Sequence, residues 1–335
     1  MIVSRYRGYG GHEIVINNLC TGLTRLGHKV TLGAFHFDKK PPVEIRSIKL
    51  GRFRWREWLN DKSYDVYHSH QPQVNYYALF GKKPFVFHFH GASNSIQELN
   101  LRLCMTLCKK KILRTFCVSN VGLKQFQRVS DSEAEVIYNG VDTSSLNPSL
   151  PVVHAKGDPQ LLFVGNLYPH KNVALLVRCM RNVLSVYPKV HLQVVGSGKD
   201  YESIQSLIYR QNLQDNVQLI GNCSGAELMK RFASCDIYVS ASGWEMFGLP
   251  ALEAMACGKP VLLSDIPAHK ELIEQSRSGL TFSLNDLTSM VQKIGEVYKN
   301  RVELGNNGRL FAEKCDWSMV CKKLSSIYDT IISSS

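Results

Sequence analysis

The feature that most constrains this chain is an alternation of short apolar runs, several ending in glycine, with longer amphipathic stretches. From residue 160 onward the runs are Leu161-Leu-Phe-Val-Gly165, His191-Leu-Gln-Val-Val-Gly196, Val217-Gln-Leu-Ile220, Asp236-Ile-Tyr-Val239 and Pro260-Val-Leu-Leu263. Each reads as a strand. Helical patterns cover 172–186, 199–211, 225–234 and 249–257 between them, and 284–298, 301–314 and 317–331 after them. The first half repeats the rhythm, with strands predicted at 29–34, 64–69, 84–89, 114–118 and 135–138 and helices at 13–26, 72–80, 95–110 and 119–129. An earlier strand would be only Ile2-Val3-Ser4, short for a sheet centre. Such alternation implies parallel strands joined by crossover helices. Residues 142–159, rich in Pro, Ser and Asp, read as a linker. The expected fold is α/β, with two doubly wound Rossmann-like domains facing each other across a cleft. The predicted boundaries are 1–145, 146–315 and a final helix, 316–335, that packs back toward the first domain.

No apolar run reaches the roughly 18–20 residues needed to span a bilayer, and the first residues hold no apolar segment of signal-peptide length. The ten cysteines are scattered, without a Cys-x-x-Cys pair, mostly inside apolar stretches. They read as buried thiols rather than a disulfide framework or zinc site. These points predict a cytoplasmic protein. Charge is unevenly placed: residues 1–150 carry a net +10 of the chain's +12. A basic first half points to an anionic partner, such as a membrane surface, and so to a peripheral place at the inner face of the cell membrane. The plain alternative is a solubilising charge.

Glycines stand where strands turn into helices. Gly8-Tyr9-Gly10-Gly11-His12-Glu13 precedes the first long helix. Its spacing is not the full dinucleotide fingerprint, and no acidic residue follows at the ribose distance, so a nicotinamide cofactor is poorly supported. Gly165-Asn166-Leu167-Tyr168-Pro169-His170-Lys171 and Gly196-Ser197-Gly198-Lys199 each set a lysine near a helix start. A cation is unfavourable there unless an anion such as a diphosphate lies beside it. The block from Gly243 to Pro260 carries Glu245 in a loop and Glu253 one turn into an apolar helix, with Phe247-Gly-Leu-Pro250 at the helix start. A carboxylate among apolar neighbours needs donors, which sugar hydroxyls supply. The helix amides point at a phosphate.

This pattern resembles glycosyltransferase family 4, the retaining family of the GT-B fold. The resemblance runs in order through Gly10-Gly11-His12-Glu13, Gly27-His-Lys-Val30, Asp65-Val-Tyr-His-Ser-His70, His90-Gly91, Val118-Ser-Asn120, Tyr138-Asn-Gly-Val-Asp142, Leu162-Phe-Val-Gly-Asn-Leu…Lys171 and the Glu245…Glu253 block. It implies transfer of a sugar from a nucleotide donor, uridine favoured over guanosine, to a glycan or lipid-linked acceptor. His90, Glu245 and Lys171 are implied catalytic residues: His90 beside the anomeric centre, Glu245 on the sugar hydroxyls, Lys171 on the diphosphate. Glu253 would bind the ribose. Gly11, Met246 and the amides of Phe247, Gly248 and Leu249 would approach phosphates and sugar. Gly165, Asn166 and Gly196 would line the phosphate loops, and Gly221 and Asn222 the base. The resemblance implies a front-face retaining reaction without cofactor or bound metal, and no Asp-x-Asp pair occurs. One departure stands out. The family commonly has Gly-Arg where this chain has Gly165-Asn166, so one cation is missing unless Lys199, Arg5 or Arg7 replaces it.

Rival readings remain. His68/His70 and His88/His90, with Asp65, suggest a metal hydrolase, but no carboxylate motif completes it. Arg52-Phe-Arg-Trp-Arg-Glu-Trp58, and a helix near 101–114 with Arg102, Lys109, Lys110, Lys111 and Arg114 beside Leu101, Leu103, Leu107, Ile112 and Leu113, suggest membrane docking. No nucleic-acid module is present, so a nucleic-acid partner is not expected. A sugar-nucleotide epimerase shares the fold but not the Glu block. The last alternative is a basic-surface binding protein with a degenerate donor site.

Overall fold

The computed structural model describes every residue except Tyr9, residues 52–54, His154 and Ser335. Its chain divides into two compact units, one made of Met1–Gly140 with Trp317–Ser335, the other of Val141–Asp316. The break lies at residue 140 rather than 145. Val141 bridges to Asp316 and donates its N–H to Cys315 O, and Arg309 holds the carbonyls of Thr143 and Leu146. The start of the expected linker is thereby bound into the second unit.

The first unit holds strands β1 (Ile2–Tyr6), β2 (Leu32–Phe37), β3 (Ser47–Lys49), β4 (Tyr67–Ser69), β5 (Phe85–Phe89), β6 (Ile112–Cys117) and β7 (Glu135–Val136). They form one parallel sheet in the order β3-β2-β1-β4-β5-β6-β7. β1 is five residues long rather than three and lies inside the sheet. β2 starts three residues later than its pattern suggests, because Lys29 is exposed and continuous burial begins only at Thr31. The short polar β3 was not anticipated. Helix Ser95–Cys108 turns Leu101, Cys104, Met105 and Cys108 inward onto Phe87 and Phe89. It is capped by Asn94, whose side chain accepts from Gln97 N at 3.0 Å.

That helix corrects the expected membrane face. Leu101 lies in the core, while Ile112, Leu113 and Arg114 belong to β6. The exposed stripe is Ile96, Leu99, Leu103 and Leu107. Trp58 is also a core residue, packed on Phe35, Tyr67 and Tyr77. Residues 52–54 of the basic-aromatic run lie outside the described residues, as does Tyr9 of the first glycine cluster.

The second unit holds β8 (Gln160–Val164), β9 (His191–Val195), β10 (Val217–Gly221), β11 (Ile237–Ser240), β12 (Val261–Ser264) and β13 (Gly279–Phe282), all parallel, in the order β10-β9-β8-β11-β12-β13. Leu161, Phe163, Leu192, Val194, Ile237 and Val239 form its centre, with helix Val173–Val186 contributing Leu176, Val177 and Met180. Helix Pro267–Ser276 and β13 were not anticipated.

In both sheets the strand sequence runs outward one way from a first strand and then restarts on its other side. The reversal falls between β1 and β4 in one sheet and between β8 and β11 in the other. These neighbours pair briefly: β1 and β4 only at Ile2↔Ser69, β8 and β11 at two positions. Loops leaving such strands part in opposite directions and open a crevice at their carboxyl ends, where ligands of doubly wound sheets bind.

Candidate active site

The crevice of the second unit is built by the loops after β8 and β11. After β8 the chain passes Gly165 and Asn166, makes a single turn at Pro169–Lys171 and enters helix Val173–Val186 through Asn172, whose φ is 51°. The side-chain amide of Asn172 donates to Ala241 O at 3.0 Å, and Gly243 N–H donates to His170 O at 2.6 Å. These bonds stitch one loop to the other. Lys171 Nζ then donates to Glu245 Oε1. Glu245 also accepts from Ser242 Oγ at 2.9 Å. Burial pushes the Glu245 carboxyl up, but Lys171, His269 and Ser242 outweigh it and hold the pKa below the usual carboxylate range. Glu245 is therefore an anion. An ammonium has three donors, and among the described residues this one uses one and has two left for an incoming anion.

The Ser242 backbone is itself held from behind. Ser264 Oγ donates to Ser242 O at 2.5 Å, and His269 Nδ1 lies 2.9 Å from Ser264 Oγ. Burial lowers His269 to about 4, so it is neutral. His269 and Ser264 escaped sequence reading because His269 lies on the unanticipated helix, whose apolar pattern is weak.

Helix Leu249–Ala256 starts at Gly248, whose φ of 103° is a left-handed conformation that glycine adopts without cost. Pro250 occupies the first turn, and the first N–H groups of a helix have no internal partner. Met246 and Phe247 are buried beneath this loop, so their side chains anchor it. Glu253 lies one turn further in. It is partly buried between Leu252 and Ala254, and its carboxylate makes no hydrogen bond or ion pair among the described residues. Burial alone raises it to about 7.

Two further loops line this side of the sheet. Gly196, after β9, donates to Gly221 O at 2.8 Å. A Cβ at Gly196 would sit 1.9 Å from Gly165 O, so the loops after β8 and β9 pack backbone on backbone. Gly221 ends β10 with φ 77° and open space around it, and Asn222 follows. Asn166 and Lys199 are exposed. Arg5, one of the cations weighed as a substitute for the missing arginine, is engaged by Asp38 at 2.8 Å.

In the first unit the crevice gathers imidazoles. Gly11 heads helix Gly11–Arg25, which brings His12 edge-on to His90 and His70. His68 and His70 come from the end of β4, His88 and His90 from the end of β5, and the four rings stack. His70 Nδ1 and His90 Nε2 are 2.9 Å apart. Burial keeps all five neutral, His12 at about 4 and His88 at about 3. Asp65 does not join them. It is exposed, two residues ahead of β4. The sequence made the two pairs legible, but not the arrival of His12 from a helix start far away in the chain.

Two parallel sheets with this strand order, together with the Glu245…Glu253 loop and helix, have the architecture of the GT-B fold. Comparison with known proteins agrees. Residues 9–145 match the model of glycosyltransferase family 4, and residues 151–311 that of glycosyl transferases group 1. An uncharacterised glycosyltransferase of Methanocaldococcus jannaschii is 27% identical, covering 97% of this chain and 96% of its own. The phosphatidyl-myo-inositol mannosyltransferase of Mycobacterium leprae is 26% identical over 84% of this chain and 77% of its own. Among solved structures, sucrose-phosphate synthase from Thermosynechococcus elongatus superposes with a TM-score of 0.81 at 19% identity, covering 99% and 96% of the two chains. The Anabaena protein HepE, solved with UDP and glucose, gives 0.81 at 18% identity, covering 98% and 99%. The chain belongs to glycosyltransferase family 4 and is a transferase of the GT-B type.

Proposed function

We propose that this chain is a retaining hexosyltransferase that uses a nucleoside diphosphate sugar, with uridine as the favoured base, and needs neither cofactor nor bound metal. The observation that carries the reading is Glu253, a carboxylate raised to about 7 by burial, without a partner, beside the start of a helix. A ribose offers two hydroxyl donors of the kind it lacks. Lys171, with two free donors, and the amides at Gly248 and Leu249 would take the diphosphate, neutralising charge as the leaving group departs. Glu245, held as an anion by Lys171 and Ser242, would accept from hydroxyls of the transferred sugar. Gly165, Asn166 and Gly196 would approach the phosphates by backbone, and Gly221 and Asn222 the base. Asn166 would donate a neutral bond in place of the family's arginine, roughly half as strong as a charged one. By the same resemblance Gly11 would approach the phosphates and sugar and His90 the anomeric centre, and the departing phosphate would take the acceptor's proton. Uridine is supported by HepE, which was solved with UDP-glucose.

The acceptor we propose is a hydroxyl of a lipid-linked or cell-surface glycan, met at the inner face of the cell membrane. Relatives named for a phosphatidyl-myo-inositol acceptor support the lipid. The exposed Ile96, Leu99, Leu103 and Leu107, with Arg102 on the same helix and Lys109, Lys110 and Lys111 just after it, support docking on an anionic bilayer. No helix among the described residues is long and apolar enough to cross a membrane.

The test is a calorimetric screen of nucleoside diphosphates and their sugars, with and without EDTA. One nucleotide should bind, its binding should survive EDTA, and Glu253→Ala should abolish it. Failure of every nucleotide to bind would refute the reading. Flotation with anionic liposomes tests docking, and a protein that stays at the bottom of the gradient refutes it.

A further inference from the structure

We propose that His12, His70 and His90 form a binding site for a divalent transition metal ion of the zinc class, with the fourth position open to the crevice of the first unit. Their ring nitrogens lie within 4.8 Å of one another. Two imidazole nitrogens on one tetrahedral zinc stand about 3.4 Å apart, given bonds of about 2.0–2.1 Å. The 2.9 Å contact between His70 Nδ1 and His90 Nε2 needs to open by only about 0.5 Å to admit an ion at that spacing.

Among the described residues, several buried nitrogens here lack any partner: His12 Nε2, His68 Nε2 and both nitrogens of His88. Buried polar atoms are ordinarily satisfied, and those that are not call for an explanation. An all-imidazole ligand set suits zinc, copper, nickel or cobalt, whereas magnesium and calcium take oxygen. The rings are already neutral, so each presents a lone pair without net loss of a proton once the N–H shared between His70 Nδ1 and His90 Nε2 moves to its ring's other nitrogen. His70 Nε2 rests 3.2 Å from Met1 Sδ, leaving its Nδ1 to face the site.

Access separates this trio from its neighbour. His68, His70 and His88 also bring nitrogens within 4.8 Å, but all three are buried, and Tyr328 OH already bonds His68 Nδ1. His12 and His90 border a cavity also lined by Ser4, Arg7, Gln71 and Gly91, which gives an ion an entry path and a water the fourth position. His70 is shared, so only one trio binds at a time. The ion would occupy a nitrogen of His90, and, resting on the proposed function, it would take that ring from the anomeric centre and inhibit transfer.

The experiment uses the full chain, cleared of metal with EDTA and exchanged into metal-free buffer, and titrated with Co2+. One equivalent should produce the intense visible bands of tetrahedral cobalt, and Zn2+ should displace it. His12→Gln changes a partly exposed ring in the first turn of a helix, so the fold is retained. It should weaken binding by at least about 10-fold, since even residues that only support a ligand change affinity by about 10–100-fold. His90→Gln should do the same, and His36→Gln, an exposed histidine on β2, should change nothing. Absence of the tetrahedral spectrum, or binding that neither His12→Gln nor His90→Gln weakens, overturns the site. The cobalt spectrum stands or falls whether or not transfer activity is found. Inhibition by Zn2+, reversed by EDTA, tests the reading of His90.

Discussion

Replacing Glu253 with Gln should make the ligand-free protein more stable at high pH while weakening its hold on nucleotide. The folded-state pKa is about 7 against 4.5 for a free glutamate, because burial disfavours the charged form. Between those values the folded protein binds more protons than the unfolded chain, so stability falls as pH rises through that window. The charge adds no cost below 4.5 and its full cost above 7. The gap between 4.5 and about 7, at about 1.36 kcal/mol per pH unit, gives an upper limit near 3.4 kcal/mol. Between pH 5 and pH 8 the wild type should lose about 2–3 kcal/mol that Glu253→Gln does not lose. An unpaired buried amide costs about 1–3 kcal/mol at every pH. The variant should therefore match or trail the wild type at pH 5 and overtake it at pH 8. Scanning calorimetry from pH 5 to 8, following the transition of the second unit, measures this. A difference of about 2–3 kcal/mol corresponds to roughly 5–10 °C in a domain of this size. Ribose hydroxyls should pull the pKa down, so nucleotide binding near pH 7 should release about half a proton. Calorimetry in buffers of different ionisation enthalpy reports it. A wild-type-to-variant difference that does not change with pH would refute the burial argument.

Other consequences can be checked alongside. Gly196→Ala drives a Cβ to 1.9 Å from Gly165 O at a φ of 136°, so the second unit should lose at least about 2–3 kcal/mol in denaturant titration. Lys171→Met leaves the burial of Glu245 opposed only by His269 and Ser242. Its pKa should rise, and transfer, followed by release of nucleoside diphosphate, should fall by about 100-fold or more. Tyr328→Phe removes the partner of buried His68 Nδ1 and should cost the first unit about 1–3 kcal/mol by thermal melt. Leu103→Glu with Leu107→Glu, on the exposed stripe, should abolish liposome flotation without shifting the melting temperature.

Most of the second unit was legible because its strands are mainly apolar and stop at glycine or serine. β8 to β12 fall within two residues of their expected limits. Helix Pro267–Ser276 was missed because two of its four buried positions are the polar His269 and Ser276, which blurs the apolar period. β3 was missed because three residues facing partly to solvent carry no alternation worth reading. Of the candidate site, Glu245, Glu253 and Lys171 could be named because a charge in an apolar or like-charged setting asks for a partner. The ion pair joining Lys171 to Glu245 could not, since it depends on β8 and β11 being neighbours. His269 and His12 share that limitation: each matters through strand order, which a single chain does not spell out locally. The amphipathic reading of 101–114 failed at its end because Lys109 to Lys111 form a turn rather than a last helical turn.

The last helix, Trp317–Ser333, belongs to the unit that begins at Met1. Trp317 covers Gly140, Cys321 lies against Gly22, and Tyr328 reaches His68. During synthesis, then, the first unit cannot close when its own sheet has emerged. It must wait, with Leu23 and the β4 histidines uncovered, while the entire second unit is made and folds. A ribosome stalled after residue 140 would carry an unfinished domain, and the fragment 1–140 made alone should be a substrate for chaperones rather than a small soluble protein.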